Sequence, residues 1–543
     1  MAGARLETDV VVAGGGPVGL ALARDLGRRG VRTLVLEASD GTVTRPRTAT
    51  VGPRSMELLR RWGLAGRVRA AGWPGDHPLD VAWVTALGGH EIHRLRLGTC
   101  DERPAQPWTP EPGHICPQDV LLPLLAEAVG THPGGPLRRL CRFDAFTEHA
   151  DGVTVTATDL GDGGELTVDA QYLAGCDGSS SAVREAAGIK APDRYTTRVL
   201  RDIVFRAPRL REQLGPRAAL LYFLTRPPAL RFPLRALDGR ELYRLLVPAD
   251  GAQGLDAGAL VRAAVALDTP LETLSEHVWH LTHRVASAYR AGRVLLCGDA
   301  AHTLSPSGGL GLDIGLADAA DLGWKLAGTV AGWAGPGLLD SYDTERRPVA
   351  EAGLEVARTH LVRTLRRELP AALLLDSAEG KQARAELAEQ LSGSEVRREF
   401  DCPDVHFGHR YTSPLVVPDA PERNPGPAAD DRRPRGRDAW RGEALPGGRA
   451  PHVWLADGTS TLDLFGPAFH LLRFTESVRL TAFTAAFARR HVPLTTTRCP
   501  DRRVAACYGR PYVLVRPDGH VAWRGGELPF DAGTLADRLR GAR

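Results

Sequence analysis

The sequence predicts an α/β protein built of several units: a parallel-sheet unit first, an antiparallel sheet in the middle and a small β/α unit at the end. Three observations carry this. Residues 8–13 (T-D-V-V-V-A) are a β-branched strand running into Gly14, Gly16 and Gly19, with helical spacing over 20–30 and a second buried strand over 31–36. Residues 195–280 hold four segments of period two, and from Ala450 onward strand and helix patterns alternate again. A chain of 543 residues is too long for one core, so two or three domains are expected.

The N-terminal pattern is the dinucleotide fingerprint: strand, G-x-G-x-x-G, helix, and a second strand closing on Glu37 about twenty residues beyond the glycines. Gly14 permits the tight turn, Gly16 lets the backbone approach a pyrophosphate, and Gly19 lets the helix pack on the strand. The helix start offers free N–H groups to an anion, and Glu37 can accept hydrogen bonds from a ribose.

Composition narrows the field. A net charge of +3 over this length, carried by scattered arginines, disfavours a nucleic-acid partner. The cysteines at 100, 116, 141, 176, 297, 402, 499 and 507 form no C-x-x-C or Cys/His cluster, so neither a metal site nor a disulfide frame is expected. The first strand leaves no room for a signal peptide and no apolar run is long enough to span a bilayer, which makes a reducing cytoplasm the expectation.

Beyond Glu37 come a polar loop with Arg45 and Arg47, then a helix over 55–62. Residues 79–97 alternate around Gly88-Gly89 as a hairpin, and after a Pro-rich loop Cys116 to Asp119 lead into a helix over 120–129. Strands at 152–158 and 166–173 run into Cys176-Asp177-Gly178-Ser179 and a helix over 182–187. The strands of 195–280 carry Tyr222, Phe223, Phe232 and Tyr243, and one face of such a sheet is free to wall a pocket. A buried strand from Arg293 ends in Gly298-Asp299-Ala-Ala-His302, and Pro306-Ser-Gly308-Gly309-Leu-Gly311-Leu312-Asp313 opens a helix to about residue 330. A helix over 339–365 follows, then a charged and Pro/Gly/Arg-rich stretch to about 440.

Together, G-G-G-P-V-G-L with Glu37, C-D-G-S at 176–179 and C-G-D-A-A-H-T-L-S-P at 297–306 resemble the flavin-dependent aromatic hydroxylases of the para-hydroxybenzoate hydroxylase type. The stretch 407–418 and the pattern from 450 are similar to the larger members, the phenol hydroxylases and the oxygenases that tailor aromatic polyketides. The resemblance implies a Rossmann-type FAD-binding domain in three parts (1–75, 98–190 and 281–365). It implies an inserted antiparallel β-sheet substrate domain in two (76–97 and 191–280), a helical segment and linker (366–440) and a C-terminal thioredoxin-like domain without redox cysteines (441–543).

It also implies roles. Gly14, Gly16, Pro17, Gly19 and Glu37 would hold the adenosine end of FAD; Arg47 and Gln118, with Arg45 beside them, the phosphate or ribityl region; Asp177 both FAD and the nicotinamide donor; Asp299 the ribityl chain. Pro306, Gly309, Gly311, Leu312 and Asp313 would lie beside the isoalloxazine ring, and Trp83, Tyr222, Phe232 and Tyr243 would line the substrate pocket. His302, Trp83, Trp108 and His93 are more simply structural, and no catalytic residue is assigned. Members commonly carry Gly-Met-Asn where this chain has Gly311-Leu312-Asp313. An ionised Asp313 would oppose an anionic reduced flavin, so Asp313→Asn is expected to raise the reduction potential.

The implied reaction uses NADPH or NADH as a transient co-substrate and O2. Through a flavin C4a-hydroperoxide it hydroxylates an aromatic or phenolic, polycyclic polyketide-like substrate, in a monomer or homodimer. Baeyer–Villiger or epoxidising chemistry on the same scaffold, and a non-oxygenating flavoprotein dehydrogenase, stand as alternatives.

Overall fold

The computed structural model describes residues 4–43, 48–103, 106–131, 137–225, 233–250, 254–419 and 442–543. At its centre is a six-stranded sheet ordered Arg290–Ala291, Val294–Leu296, Tyr172–Gly175, Val10–Ala13, Thr33–Leu36 and Leu137–Arg138, parallel except at its first pair. Its central strands are apolar throughout because both faces are covered. The first helix, Pro17–Arg28, begins with proline at its first position and packs close on the sheet. Gly14 (φ 105°) and Gly19 make that fit possible: a Cβ on the former would strike the Cys176 carbonyl, and one on the latter the Gly14 carbonyl.

The hairpin near residue 90 and the strands of 198–281 form one seven-stranded sheet, ordered Glu272–Leu281, Arg198–Arg206, Leu242–Pro248, Pro233–Ala236, Leu221–Leu224, Val81–Val84 and Glu91–Leu95. The sequence predicts an antiparallel sheet here; the structure corrects this to a mixed one, since Leu221–Leu224 runs parallel to Val81–Val84. A parallel pair needs a long crossover between its strands, and the residues between 84 and 221 provide it. One face buries Tyr222, Tyr243, Phe205 and Leu234 under the helix Ala257–Val265. The other is roofed at one end by the helix Ala378–Leu391 and at the other by Leu361 of the long helix Gly337–Arg366.

Residues 442–543 fold on a four-stranded sheet ordered Leu494–Arg498, Phe469–Arg473, Tyr512–Val515 and Val521–Gly525. They dock on the helix Leu310–Val330, whose Trp324 meets Phe469 edge-on at 5.7 Å within a shared apolar cluster. Beside it lies a wholly buried ionic network. Arg516 donates to Glu345 (2.6 and 2.8 Å), Asp321 (2.9 Å) and Asp518 (2.6 Å), while Lys325 donates to Asp321 (2.7 Å) and Glu345 (2.6 Å). All eight cysteines are free thiols. Among the described residues, no helix is long and apolar enough to cross a membrane and no cluster of side chains is placed to hold a metal ion.

Removing one member of such a network strands the others as buried charges, a loss of about 3–5 kcal/mol. Arg516→Met is therefore expected to lower the midpoint of urea denaturation strongly, whereas Arg5→Met, at an exposed ion pair with Asp169, should shift it little. Equal shifts would contradict this account.

Candidate active site

The start of the helix Pro17–Arg28 is open: its N-cap, Gly16, receives no side-chain hydrogen bond, and a Cβ placed there would meet nothing within 4 Å. Space is therefore open beside this helix start, whose dipole favours an anion such as a phosphate. Glu37 ends the adjacent strand, with Oε2 accepting from the Gly15 N–H (2.7 Å) and Oε1 from the Ser39 N–H (2.8 Å). Its carboxylate is thus fixed at the glycine turn.

Asp177 stands at the end of the next strand, where Oδ1 accepts from Ser181 Oγ (2.5 Å) and Oδ2 from the Val183 N–H (3.0 Å). Arg184 joins this turn to the next, donating to Ser179 O (3.1 Å) and to Ala300 O (2.9 Å) beside the exposed Asp299. Gln118 begins the helix Gln118–Gly130, held by the pairing of His114–Pro117 with Thr48–Val51. The structure thus brings the glycine turn, Glu37, Asp177 and Asp299 to the carboxyl ends of adjacent parallel strands, the usual ligand crevice of such sheets. Arg45, Arg47 and Phe232 lie outside the described residues.

The loop Pro306–Gly309 turns tightly, with Gly309 N donating to Pro306 O (3.0 Å) and Gly308 and Gly309 both at positive φ, and opens the helix Leu310–Val330. Pro306 is exposed, Leu312 is partly covered, and a Cβ at Gly311 would meet nothing within 4 Å. Asp313 is turned to another helix. Its Oδ1 accepts from the Gly52 N–H (2.9 Å) and from Ser55 Oγ (2.5 Å), so it caps Pro53–Arg61 from a distant part of the chain. Burial raises its pKa, opposed by His406 at 3.5 Å and by these two donors.

His302 and Asp318 form a buried pair (2.8 Å) that Arg346 extends, its Nε donating to Asp318 (2.7 Å) and its Nη2 to Ile314 O (3.0 Å). Burial would raise the Asp318 pKa, but Arg346 and His302 hold it below the usual carboxylate range. His302 thereby ties its strand to the helix Leu310–Val330.

Strand register decides which residues of the middle sheet face this loop. Leu221, Arg235 and Arg244 are cross-strand neighbours on one face, which Trp83 and Phe223 share, stacked at 5.4 Å; Tyr222 and Tyr243 point to the opposite face and fill its core. The pocket expectation at those two tyrosines is corrected accordingly.

Sequence reasoning missed the residues that do converge here. Arg235 donates to Thr50 Oγ1 (2.5 Å), and the Thr50 Cβ lies 3.6 Å from where a Cβ on Gly309 would stand. Arg244 is engaged by Asp202 (2.5 and 2.7 Å), whereas Arg235 has no carboxylate within 4 Å among the described residues and its buried Nε has no partner. Burial, with Arg244 close by, pushes the Arg235 pKa down to about 10. His360, on the long helix, brings an unpartnered buried Nδ1 to 3.1 Å from the Cβ position of Gly308, and burial keeps the imidazole neutral with a pKa down to about 4. Nothing in local sequence marks either residue.

Comparison with known proteins names the architecture. Residues 7–357 match the FAD binding domain family and residues 443–542 the aromatic-ring hydroxylase C-terminal family. A putative polyketide hydroxylase of Streptomyces halstedii is 33% identical over 98% of this chain and 95% of its own length. The solved structure of RebC, a rebeccamycin biosynthetic enzyme, superimposes with a TM-score of 0.93 at 56% identity over 99% of this chain and 100% of its own. Aklavinone-11 hydroxylase in complex with FAD and aklavinone gives 0.81 at 30% identity, covering 99% of each chain.

Fold and crevice together define an FAD-binding flavoprotein monooxygenase. The chain belongs to the FAD-dependent aromatic-ring hydroxylases of the para-hydroxybenzoate hydroxylase type.

The cap formed by Asp313 is open to test. Because burial raises its pKa, the stability that the protonated form contributes is complete below about pH 4 and is lost as pH rises through the raised value. Asp313→Asn cannot ionise, so its stability relative to wild type should improve as pH rises across that window. Asp313→Ala, which leaves Gly52 N–H without its acceptor, should cost about 1–3 kcal/mol. Urea titrations at several pH values check both.

Proposed function

We propose that this monooxygenase uses NADPH or NADH and O2 to hydroxylate a polycyclic aromatic substrate that carries a carboxylate. The observation that carries the reading is Arg235, a partly buried guanidinium with no acidic partner among the described residues, set beside Thr50 and the Gly308-Gly309 turn. Leaving a guanidinium desolvated without an anion is costly, so a ligand that brings one is its natural complement. One relative agrees in this: RebC has been solved with bound 7-carboxy-K252c after soaking with chromopyrrolic acid.

The residues present fit FAD. Gly16 and Gly311 leave open space at two helix starts, and Glu37, Asp177 and Asp299 stand at the crevice between them. In this reading Gly14, Gly16, Pro17 and Gly19 receive the pyrophosphate, Glu37 the ribose, Gln118 and Asp299 the ribityl chain, and the amides from Gly309 to Asp313 the pyrimidine edge, where a helix start favours negative charge. FAD supplies, when bound, the redox couple between the nicotinamide and O2.

The chain's own groups do the rest. Arg235 anchors the carboxylate. Neutral His360 offers Nδ1 to a polar atom of the ring system, Leu221, Phe223 and Trp83 give that ring an apolar floor, and the helices Gly337–Arg366 and Ala378–Leu391 roof the sheet against water. The seven-stranded sheet acts as the substrate domain, and residues 442–543 as a thioredoxin-like domain without redox chemistry.

Arg235→Gln should raise KM for a carboxylated polycycle by about 10- to 100-fold, the worth of a charged hydrogen bond, and leave KM for its decarboxylated analogue unchanged. Equal effects on both would remove Arg235 from substrate binding. Oxygen-18 from O2 should appear in the product; a dehydrogenase would show none, and ring opening would indicate Baeyer–Villiger chemistry. Changing Cys499 and Cys507 together to Ser should leave turnover intact.

A further inference from the structure

A second cleft, of about 200 Å³, lies away from the flavin crevice, between the helices Pro17–Arg28 and Pro53–Arg61 on one side and loops of residues 442–543 on the other. Four arginines line it: Arg28, Arg54, Arg60 and Arg61. The acids within reach are already spent. Asp463 is held by Arg60 (2.7 and 2.8 Å), which also reaches Glu111 (2.9 Å). Glu57 is held by Arg449 (2.9 Å) and Arg54 (3.1 Å).

Arg61 and Arg28 are left over. Arg61 donates only to carbonyl oxygens, Pro517 O (2.6 Å) and Phe465 O (3.4 Å), and Arg28 only to the carbonyl of Arg61. Neither has a carboxylate within 4 Å among the described residues. Burial, with Arg54 and Arg29 nearby, pushes the Arg61 pKa down to about 10, opposed from beyond contact by Asp25 and Asp518, which Arg29 and Arg516 hold. Across the cleft stands Gly519 at φ 89°, whose Cβ position lies 3.4 Å from Arg61 Nη2 and 3.7 Å from Arg54 Nη2, so a side chain there would cover both guanidinium groups. A glycine opposite two guanidinium groups keeps the space in front of them clear.

We propose that this cleft is an anion site for a phosphate group, with Arg61 and Arg28 as its donors and Arg54, shared with Glu57, beside them, completed only when residues 442–543 dock on the first two helices. Guanidinium groups without a carboxylate of their own, Arg61 and Arg28, in a partly desolvated cleft match a tetrahedral dianion, which offers several acceptors to planar donors at once. The volume falls below the roughly 300–1,000 Å³ of pockets that enclose drug-sized molecules, which suits a phosphate with its remaining ester outside. Free phosphate and a phosphate monoester such as the ribose 2′-phosphate of NADPH share this chemistry. The site does not depend on the reading of the flavin crevice.

The test is calorimetric titration of the full-length, FAD-loaded protein with inorganic phosphate in a phosphate-free, low-salt buffer, where exposed charges are least screened. One phosphate per chain is expected, with affinity weakened about tenfold or more in Arg61→Gln, equivalent to about 1.4 kcal/mol. Arg28→Glu, at an exposed side chain that touches only a carbonyl, guards against a folding defect and should abolish binding by reversing the charge. No heat with the wild type, or wild-type affinity in either variant, overturns the proposal. NADPH and NADH titrated against the phosphate complex identify the source: displacement by NADPH alone assigns the 2′-phosphate, and displacement by neither supports a site for free phosphate.

Discussion

The helix Leu310–Val330 is held by charge rather than by apolar packing alone. Asp313, Asp318, Asp321 and Lys325 are all buried along it, and each is matched by a group from another element: Ser55 and Gly52, His302 and Arg346, Arg516, and Glu345. Buried ion pairs add little net stability, because desolvation offsets most of their attraction, but a wrong docking would leave several charges unpaired. The helix can therefore sit in only one rotation and one depth. The glycine loop runs directly into its first turn, so every residue that meets that loop inherits its position from these pairs.

The same principle explains how a site is assembled from segments far apart in the chain. Thr50, Arg235, Gly309 and His360 come from a short strand, the middle sheet, a loop and a long helix, and no two are neighbours in sequence. Each is placed by its own scaffold: strand pairing for Thr50 and Arg235, helix packing for His360. Two buried polar atoms without partners, Arg235 Nε and His360 Nδ1, lie where these scaffolds meet. A folded protein seldom tolerates such orphans by accident.

What the sequence made legible follows from this. The nucleotide fingerprint could be read because its glycines answer to backbone collisions within the turn itself, as with Gly14 against Cys176 O, and such constraints leave a local pattern. The period of the middle strands was also legible. Which face they cover was not, because Arg235 occupies a position that would be the wet side of any strand until the helices Gly337–Arg366 and Ala378–Leu391 roof it. For the same reason Tyr222 and Tyr243 looked as suitable for a pocket as Trp83 did. Asp313 was found by its type, but the direction of its carboxylate depends on Gly52, from a region the local pattern does not connect to it.

The parallel pairing of Leu221–Leu224 with Val81–Val84 has a consequence for how the chain is made. Val81–Val84 leaves the ribosome long before its partner is synthesised, as does Val10–Ala13 before Tyr172–Gly175. Both early strands are wholly apolar and present unpaired edges during that interval. High contact order of this kind slows folding and prolongs exposure to aggregation. Soluble yield should therefore respond to translation rate and chaperone supply, and a truncated product ending before residue 221 should be the species those chaperones retain.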